Sequence, residues 1–129
     1  MNSGKLVAMN PSTFIIVGGT AVVFFLLKHS GKISVKDARE YLKKGALVID
    51  VRSAAEFIGG HLPNALNLPL SEIEAILPRH VDDKQRVLLL HYQSGARSAV
   101  ARKKVKKIGY SQVFNLGSYA RAAEVVSGR

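Results

Sequence analysis

Residues 6–27 form a run of 22 positions without one charged side chain. A segment this apolar has to be buried somewhere, and that requirement divides the chain. Asn10 suits a helix N-cap and Pro11 the first helical position, so the pattern predicts a helix over residues 11–28. With a rise of 1.5 Å per residue, that helix is ~27 Å long, close to the ~30 Å hydrocarbon core of a bilayer. The chain has 129 residues, and the remainder is too small to bury a helix that is apolar on every side. The expected organisation is a short N-terminal segment (1–10), a transmembrane helix (11–28), a polar linker (29–32) and one folded domain (33–129).

A cleaved signal peptide is the alternative reading of the run, since its apolar core has a similar length. Against it, only Lys5 precedes the core, and the one small-residue triplet, Gly19-Thr20-Ala21, lies inside it. The flanks set an orientation: Lys28, Lys32, Lys36, Arg39, Lys43 and Lys44 follow the run, against Lys5 alone before it. By the positive-inside rule the domain is expected on the cytoplasmic side; signal cleavage would instead export it.

After the linker, helix and strand signals alternate. Ser34 with Asp37 reads as a capping box, and Val35, Ala38 and Leu42 give the helix one apolar face ending before Gly45. Residues 46–51, ALVIDV, are nearly all apolar, as in a strand buried on both faces. Ser53 and Glu56 form a second capping box over a short helix that Gly59 and Gly60 stop. Residues 67–69 are extended, and Ser71 with Glu74 opens a helix that Pro78 is expected to end. Residues 87–90 form the next buried strand. A helix then runs to about Ile108, with Ala101, Val105 and Ile108 facing inward. Residues 113–116 make a last strand, and Ser118 caps a terminal helix through Val126. This rhythm means an α/β domain with a mainly parallel central sheet flanked by helices.

In such folds ligands bind beyond the carboxyl ends of the strands, near helix N-termini. The strand ending at His91 runs into Tyr92, Gln93, Ser94, Gly95, Ala96, Arg97 and Ser98, and then into a helix. A tight turn there aims several backbone N–H groups at one point, Arg97 adds a formal charge and Gly95 eases the turn. The natural guest is a small anion or a carboxylate, although a plain turn would use the same residues. The chain carries 19 Lys plus Arg against 9 Asp plus Glu, a net +10, which also favours anionic partners.

Residues 50–69, DVRSAAEFIGGHLPNALNLP, resemble the D-V-R-x-x-x-E-F-x-x-G-H-I-P-x-A-x-N-x-P signature of the rhodanese-like family, with Leu62 in place of Ile. The family's active loop reads C-x-x-G-x-R-S, and residues 92–98, YQSGARS, match it at Gly95, Arg97 and Ser98. Ile108-Gly109-Tyr110 and residues 113–117 resemble its closing segment. The resemblance covers residue 33 onward and implies a rhodanese-like fold. It also implies that Asp50 and Arg52 help to hold the loop; the residues themselves equally suggest that Arg52 pairs with Glu56 on the next turn.

The departure falls at the centre. Family members carry sulfane sulfur on a loop cysteine, as a persulfide, from thiosulfate or a related donor to cyanide or another thiophile. This chain has Tyr92 at that position and contains no cysteine at all. A thiolate is required for such chemistry, whereas a phenol, with an ordinary pKa of ~10, has no sulfur and stays protonated at neutral pH. The leading reading is therefore a membrane-anchored module, inactive as a sulfurtransferase, whose loop binds an anion or an acidic partner segment. A second reading keeps turnover, through Tyr92 or through a partner's thiol. A third makes Tyr92 a plug in a ligand-free pocket. His91 adjoins Tyr92 but points to the opposite face of the strand, which places it poorly as a base.

His61 is expected to fix a turn by hydrogen bonding. His29, His61, His80 and His91 show no metal-ligand spacing, so neither metal nor cofactor is expected. Arg102, Lys103, Lys104, Lys106 and Lys107 lie opposite the apolar face of the loop's helix. They form either an ordinary solvated face or a contact for anionic lipid beside the anchor. No interleaved aromatic residues accompany them, so nucleic acid is not indicated.

Overall fold

A computed structural model describes residues 30–128. In chain order the elements are α1 (Val35–Lys43), β1 (Leu47–Asp50), α2 (Ala54–Gly59), β2 (Leu66–Asn67), α3 (Ile73–His80), β3 (Leu88–Tyr92), α4 (Gly95–Lys107), β4 (Val113–Ser118) and α5 (Tyr119–Ser127). The strands form one parallel sheet in the order β2-β1-β3-β4.

Parallel strands are joined by crossover helices, so both faces of the sheet are covered, and alternate residues of each strand enter different cores. Ile49, Leu88 and Leu90 pack with Ile73 and Leu77 of α3 and Ala101 and Val105 of α4. Val48 and Leu89 pack on the other side with Ala38 of α1 and Ala122 and Val125 of α5. The expected α/β architecture is therefore present, and the near-continuous apolar runs are its two central strands.

Local signals behave unevenly. Ser34 Oγ accepts from Asp37 N–H at 3.1 Å, giving half of the expected capping box; aspartate is a methylene shorter than the glutamate that usually reaches back. Ser53 and Glu56 make the full reciprocal box, and Ser118 accepts from Arg121 N–H at 3.2 Å. Ser71 does not open α3, which starts at Ile73 with Glu72 as an N-cap lacking a side-chain bond. Pro78 does not end it either, because the helix continues to His80. Pro78 cannot donate the i→i−4 bond to Glu74 O, a loss the helix carries for its last two residues, and exposed Pro78 sits beside the fully buried anchor Leu77. Lys32, expected in the linker, already forms a parallel bridge with Asn115.

The order of the strands locates a site. From β1 the chain moves outward to β2, then crosses to the other side of β1 to lay down β3 and β4. The connections reverse direction between β1 and β3, and a crevice opens at the carboxyl ends of strands where this happens. No helix among the described residues is long and apolar enough to cross a membrane, and the span expected over 11–28 lies outside them.

Candidate functional site

Asp50 and His91 are register partners at the ends of β1 and β3. Both side chains turn toward the α5 side and are fully buried. The next residue but one, Arg52, folds back onto Asp50: Nη2 donates to Oδ2 at 2.7 Å, and Nε lies 3.0 and 3.1 Å from the two carboxylate oxygens. Its backbone N–H also donates to Asp50 Oδ1, at 2.9 Å. Nη2 donates further to Gly60 O at 2.8 Å, tying the end of α2 to β1, and the guanidinium lies 4.5 Å from the centre of the Tyr119 ring. The hydrogen bonds to Asp50 raise the Arg52 pKa above its already high ordinary value, against the opposing effect of burial. Asn67 Nδ2 sits 3.0 Å from both Asp50 O and Arg52 O, closing this corner from the β2 side.

The expected pairing of Arg52 with Glu56 is not what forms. Glu56 is occupied by the capping box with Ser53, while a fully buried Asp50 carboxylate needs a bidentate cation far more than an exposed glutamate does. Among the described residues, the side-chain hydrogen bonds of Asp50 and Arg52 run to one another, to the Arg52 amide and to Gly60 O, while Asn67 Nδ2 donates to their carbonyls. Their bracing acts on the β1–α2 connection, with no bond to Gln93, Ser94 or Arg97.

His91 completes this cluster without a hydrogen bond on either ring nitrogen. Its Nε2 is 3.8 Å from Asp50 Oδ2, and its ring meets Tyr119 edge-on at 5.7 Å. Burial lowers the His91 pKa; the Asp50 charge pulls the other way and the Arg52 charge reinforces the lowering. A histidine whose folded pKa lies below the unfolded ~6.5 contributes stability that is complete above that value. The contribution declines as pH falls through it, by up to ~1.4 kcal/mol per pH unit for one proton. Urea midpoints measured from pH 8 to pH 5 should therefore fall more steeply for the native protein than for His91→Leu. That substitution removes no hydrogen bond, so it should cost little at pH 8. Parallel pH profiles for the two proteins would refute this account of His91.

On the other face of the sheet the loop is shorter than the sequence suggests. Tyr92 is still in β3, paired with Ser118, and α4 begins at Gly95, so only Gln93 and Ser94 lie between. His91 and Tyr92 do point to opposite faces, as strand alternation requires. The Tyr92 ring is half-buried against the α3–α4 core, and the exposed Arg97 guanidinium lies 5.8 Å from its centre. Ser94 is extended and makes no side-chain cap bond. The N–H groups of Gly95, Ala96 and Arg97 therefore have no acceptor within the helix and sit at its positive end.

Ser98 faces inward. Its Oγ is 2.8 Å from Gly95 O, 3.3 Å from Gly117 O and hydrogen-bonded to Asn115 Oδ1, which also accepts from Gly117 N–H at 2.7 Å. Its amide donates to Ser94 O at 3.5 Å. Ser98 thus fastens the first turn of α4 to β4 instead of facing a ligand. Gly117, at φ +90°, allows the register shift that brings its N–H to Asn115.

Sequence reasoning left out His91 and Tyr119 as partners of the Asp50–Arg52 pair, and Asn67 and Asn115 as clamps. A signal was available for both asparagines, each a carboxamide beside the apolar residues of a strand where every polar group needs a partner. His61 does fix its turn, with Nδ1 2.9 Å from Phe57 O and its ring stacked on Phe57. The basic residues of α4 divide: Lys103, Lys106 and Lys107 are exposed, Lys104 approaches Glu74 at 3.8 Å, and half-buried Arg102 donates from Nε to Val113 O at 2.8 Å.

Comparison with known proteins bears on the fold. The family model described as rhodanese-like domain matches residues 34–121. The uncharacterized protein YqhL of Bacillus subtilis is 37% identical over 71 residues, covering 55% of each chain. Thiosulfate sulfurtransferase PspE of Escherichia coli is 30% identical over 69 residues, 54% of this chain and 66% of that protein. This chain thus spans just over half of one relative and just under two thirds of the other. The human single-domain sulfurtransferase TSTD1 superposes with a TM-score of 0.62 and 29% identity over 73% of this chain and 96% of that one. With a family match over most of its folded residues and a shared architecture, this chain belongs to the rhodanese-like domain family.

Proposed function

We propose that the protein is a membrane-anchored rhodanese-like module that does not transfer sulfur through its own side chains. Its loop at the end of β3 binds an anion, or an acidic segment of a protein partner, on the cytoplasmic side. The observation that carries this reading is the combination at the loop. Tyr92 stands where the family motif has cysteine, yet the N–H groups of Gly95, Ala96 and Arg97 still lack helix acceptors and Arg97 is exposed beside them. A loop that has lost its nucleophile and kept its electropositive turn is suited to binding without turnover. The +10 net charge of the chain and its uncharged run of 22 residues support the anionic partner and the anchor respectively.

The test is titration of sulfate and of thiosulfate into the isotope-labelled protein, followed by amide shifts. Both anions should move Gly95, Ala96 and Arg97. Arg97→Ala should weaken binding about tenfold or more, the usual scale for a hydrogen bond to a charged group. Binding that survives both Arg97→Ala and Arg97→Glu would remove the loop from the reading.

A further inference from the structure

The parallel sheet sends every helix C-terminus to the amino ends of the strands, and the loops there meet. Leu47 N–H donates to Val87 O at 3.0 Å, Ser111 N–H to Lys84 O at 3.1 Å and Leu88 N–H to Gln112 O at 2.8 Å. Lys84 Nζ donates to Ile108 O at 3.3 Å. This end of the domain exposes Lys43, Lys44, Arg79, Arg86, Lys106 and Lys107, against Asp82, Asp83, Glu124 and Glu40, the last of which pairs with Lys43 at 3.1 Å. At the other end, where the Tyr92 loop lies, exposed charges are mixed: Asp37, Glu56 and Glu72 stand with Lys36 and Arg97.

The chain also enters the domain near its basic end. Lys32 pairs with Asn115 in the parallel sense, with Asn115 N–H donating to Gly31 O at 2.9 Å, so tracing back toward residue 30 leads to the amino end of β4. There Gly31 lies directly against the Arg102 side chain of α4. Three peptide steps separate Leu27, the last residue of the uncharged run, from Ser30. Their combined reach is at most about 11 Å.

The geometry points to a fixed orientation: the basic end of the domain docks on the anionic headgroups of the bilayer that holds residues 11–28, and the Tyr92 loop faces away into solution. This rests on the reading that those residues span the membrane. Strands of about five residues hold the two ends roughly 15 Å apart. A short tether attached at the basic end leaves that end nearest the lipid, and each basic residue near an anionic surface favours contact by about fivefold. Headgroups are therefore not the ligand of the loop, which is left open to a soluble partner.

Because the chain has no native cysteine, single labels report position cleanly. Full-length protein carries a fluorophore at Gln85→Cys, on the basic end, or at Ala55→Cys, on the loop end. It is reconstituted in vesicles containing headgroup-spin-labelled lipid, of phosphatidylcholine alone or with phosphatidylserine. The Gln85 label should be quenched strongly with phosphatidylserine and weakly without it, and the Ala55 label in neither. Lys106→Gln/Lys107→Gln should lower the docked-to-undocked ratio about 25-fold. Quenching at Ala55 in place of Gln85 would overturn the orientation. Gln85 quenching indifferent to lipid charge and to the double variant would overturn the docking. Co-flotation with neutral vesicles in high salt separates this from the anchor: protein that floats but shows no charge-dependent quenching is anchored and undocked, whereas protein that stays behind refutes the anchor and this arrangement with it.

Discussion

Tyr92→Cys should turn over in the thiosulfate:cyanide assay at least about two orders of magnitude above the native protein, because a thiol supplies a covalent route that a phenol lacks. The native chain contains no cysteine, so it has no thiol on which to form a persulfide. At position 92 a thiol would lie at the end of β3, two residues before the N-terminus of α4, where the N–H groups of Gly95, Ala96 and Arg97 lack helix acceptors. That setting lowers a thiol pKa from ~8.5 and raises the thiolate fraction. The thiolate attacks the outer sulfur of thiosulfate and sulfite leaves; cyanide then takes the sulfur as thiocyanate and restores the thiolate. Arg97→Ala in the cysteine background should lower that turnover. If the native protein and Tyr92→Cys are both silent, the loop has lost its geometry as well as its nucleophile, and the anion-binding reading loses its support. Turnover by the native protein that falls in Tyr92→Phe would instead make the phenol the nucleophile.

The parts of this fold that were legible in the sequence are those set by local or periodic physics. Residues 46–51 and 87–90 announce strands buried on both faces because nearly every position there is apolar. Ser53 and Ser118 announce helix starts because a hydroxyl in front of the first turn has one obvious use. The short loop and the ends of α3 were less legible because they depend on tertiary context. Tyr92 continues β3 only because Ser118 of β4 is there to pair with it. Pro78 stays helical while neighbouring Leu77 is fully buried in the core. The site divides in the same way. Its backbone amides follow from a strand-turn-helix pattern, but no spacing rule links Asp50 to His91 and Tyr119, which meet through strand register and through the packing of α5 over the sheet. Proximity in sequence offers Glu56 to Arg52 as readily as Asp50, whereas the burial of Asp50 decides the partner.

The buried pair yields the largest expected effect on stability. Arg52→Ala strips a fully buried carboxylate of its bidentate partner. Leaving one charge of such a pair uncompensated costs roughly 3–5 kcal/mol. Total stabilities of small domains are about 5–15 kcal/mol, so urea or thermal midpoints should collapse at pH 8. The penalty should shrink on acidification. His91, 3.8 Å from Asp50 Oδ2, becomes the nearest available cation. Loss of the Arg52 charge removes one of the causes that lower the His91 pKa, so protonation of His91 costs the fold less in this background than in the native protein. The gap in midpoint between the native protein and Arg52→Ala should therefore narrow from pH 8 to pH 5, and should narrow less when both carry His91→Leu. Asp50→Ala at pH 8 should be milder than Arg52→Ala, because the long Arg52 stem lets its guanidinium swing back into water while Asp50 is fixed on a central strand. An Arg52→Ala penalty below about 1 kcal/mol, or one that does not change with pH, would mean that the carboxylate is not held by this arginine as the geometry requires.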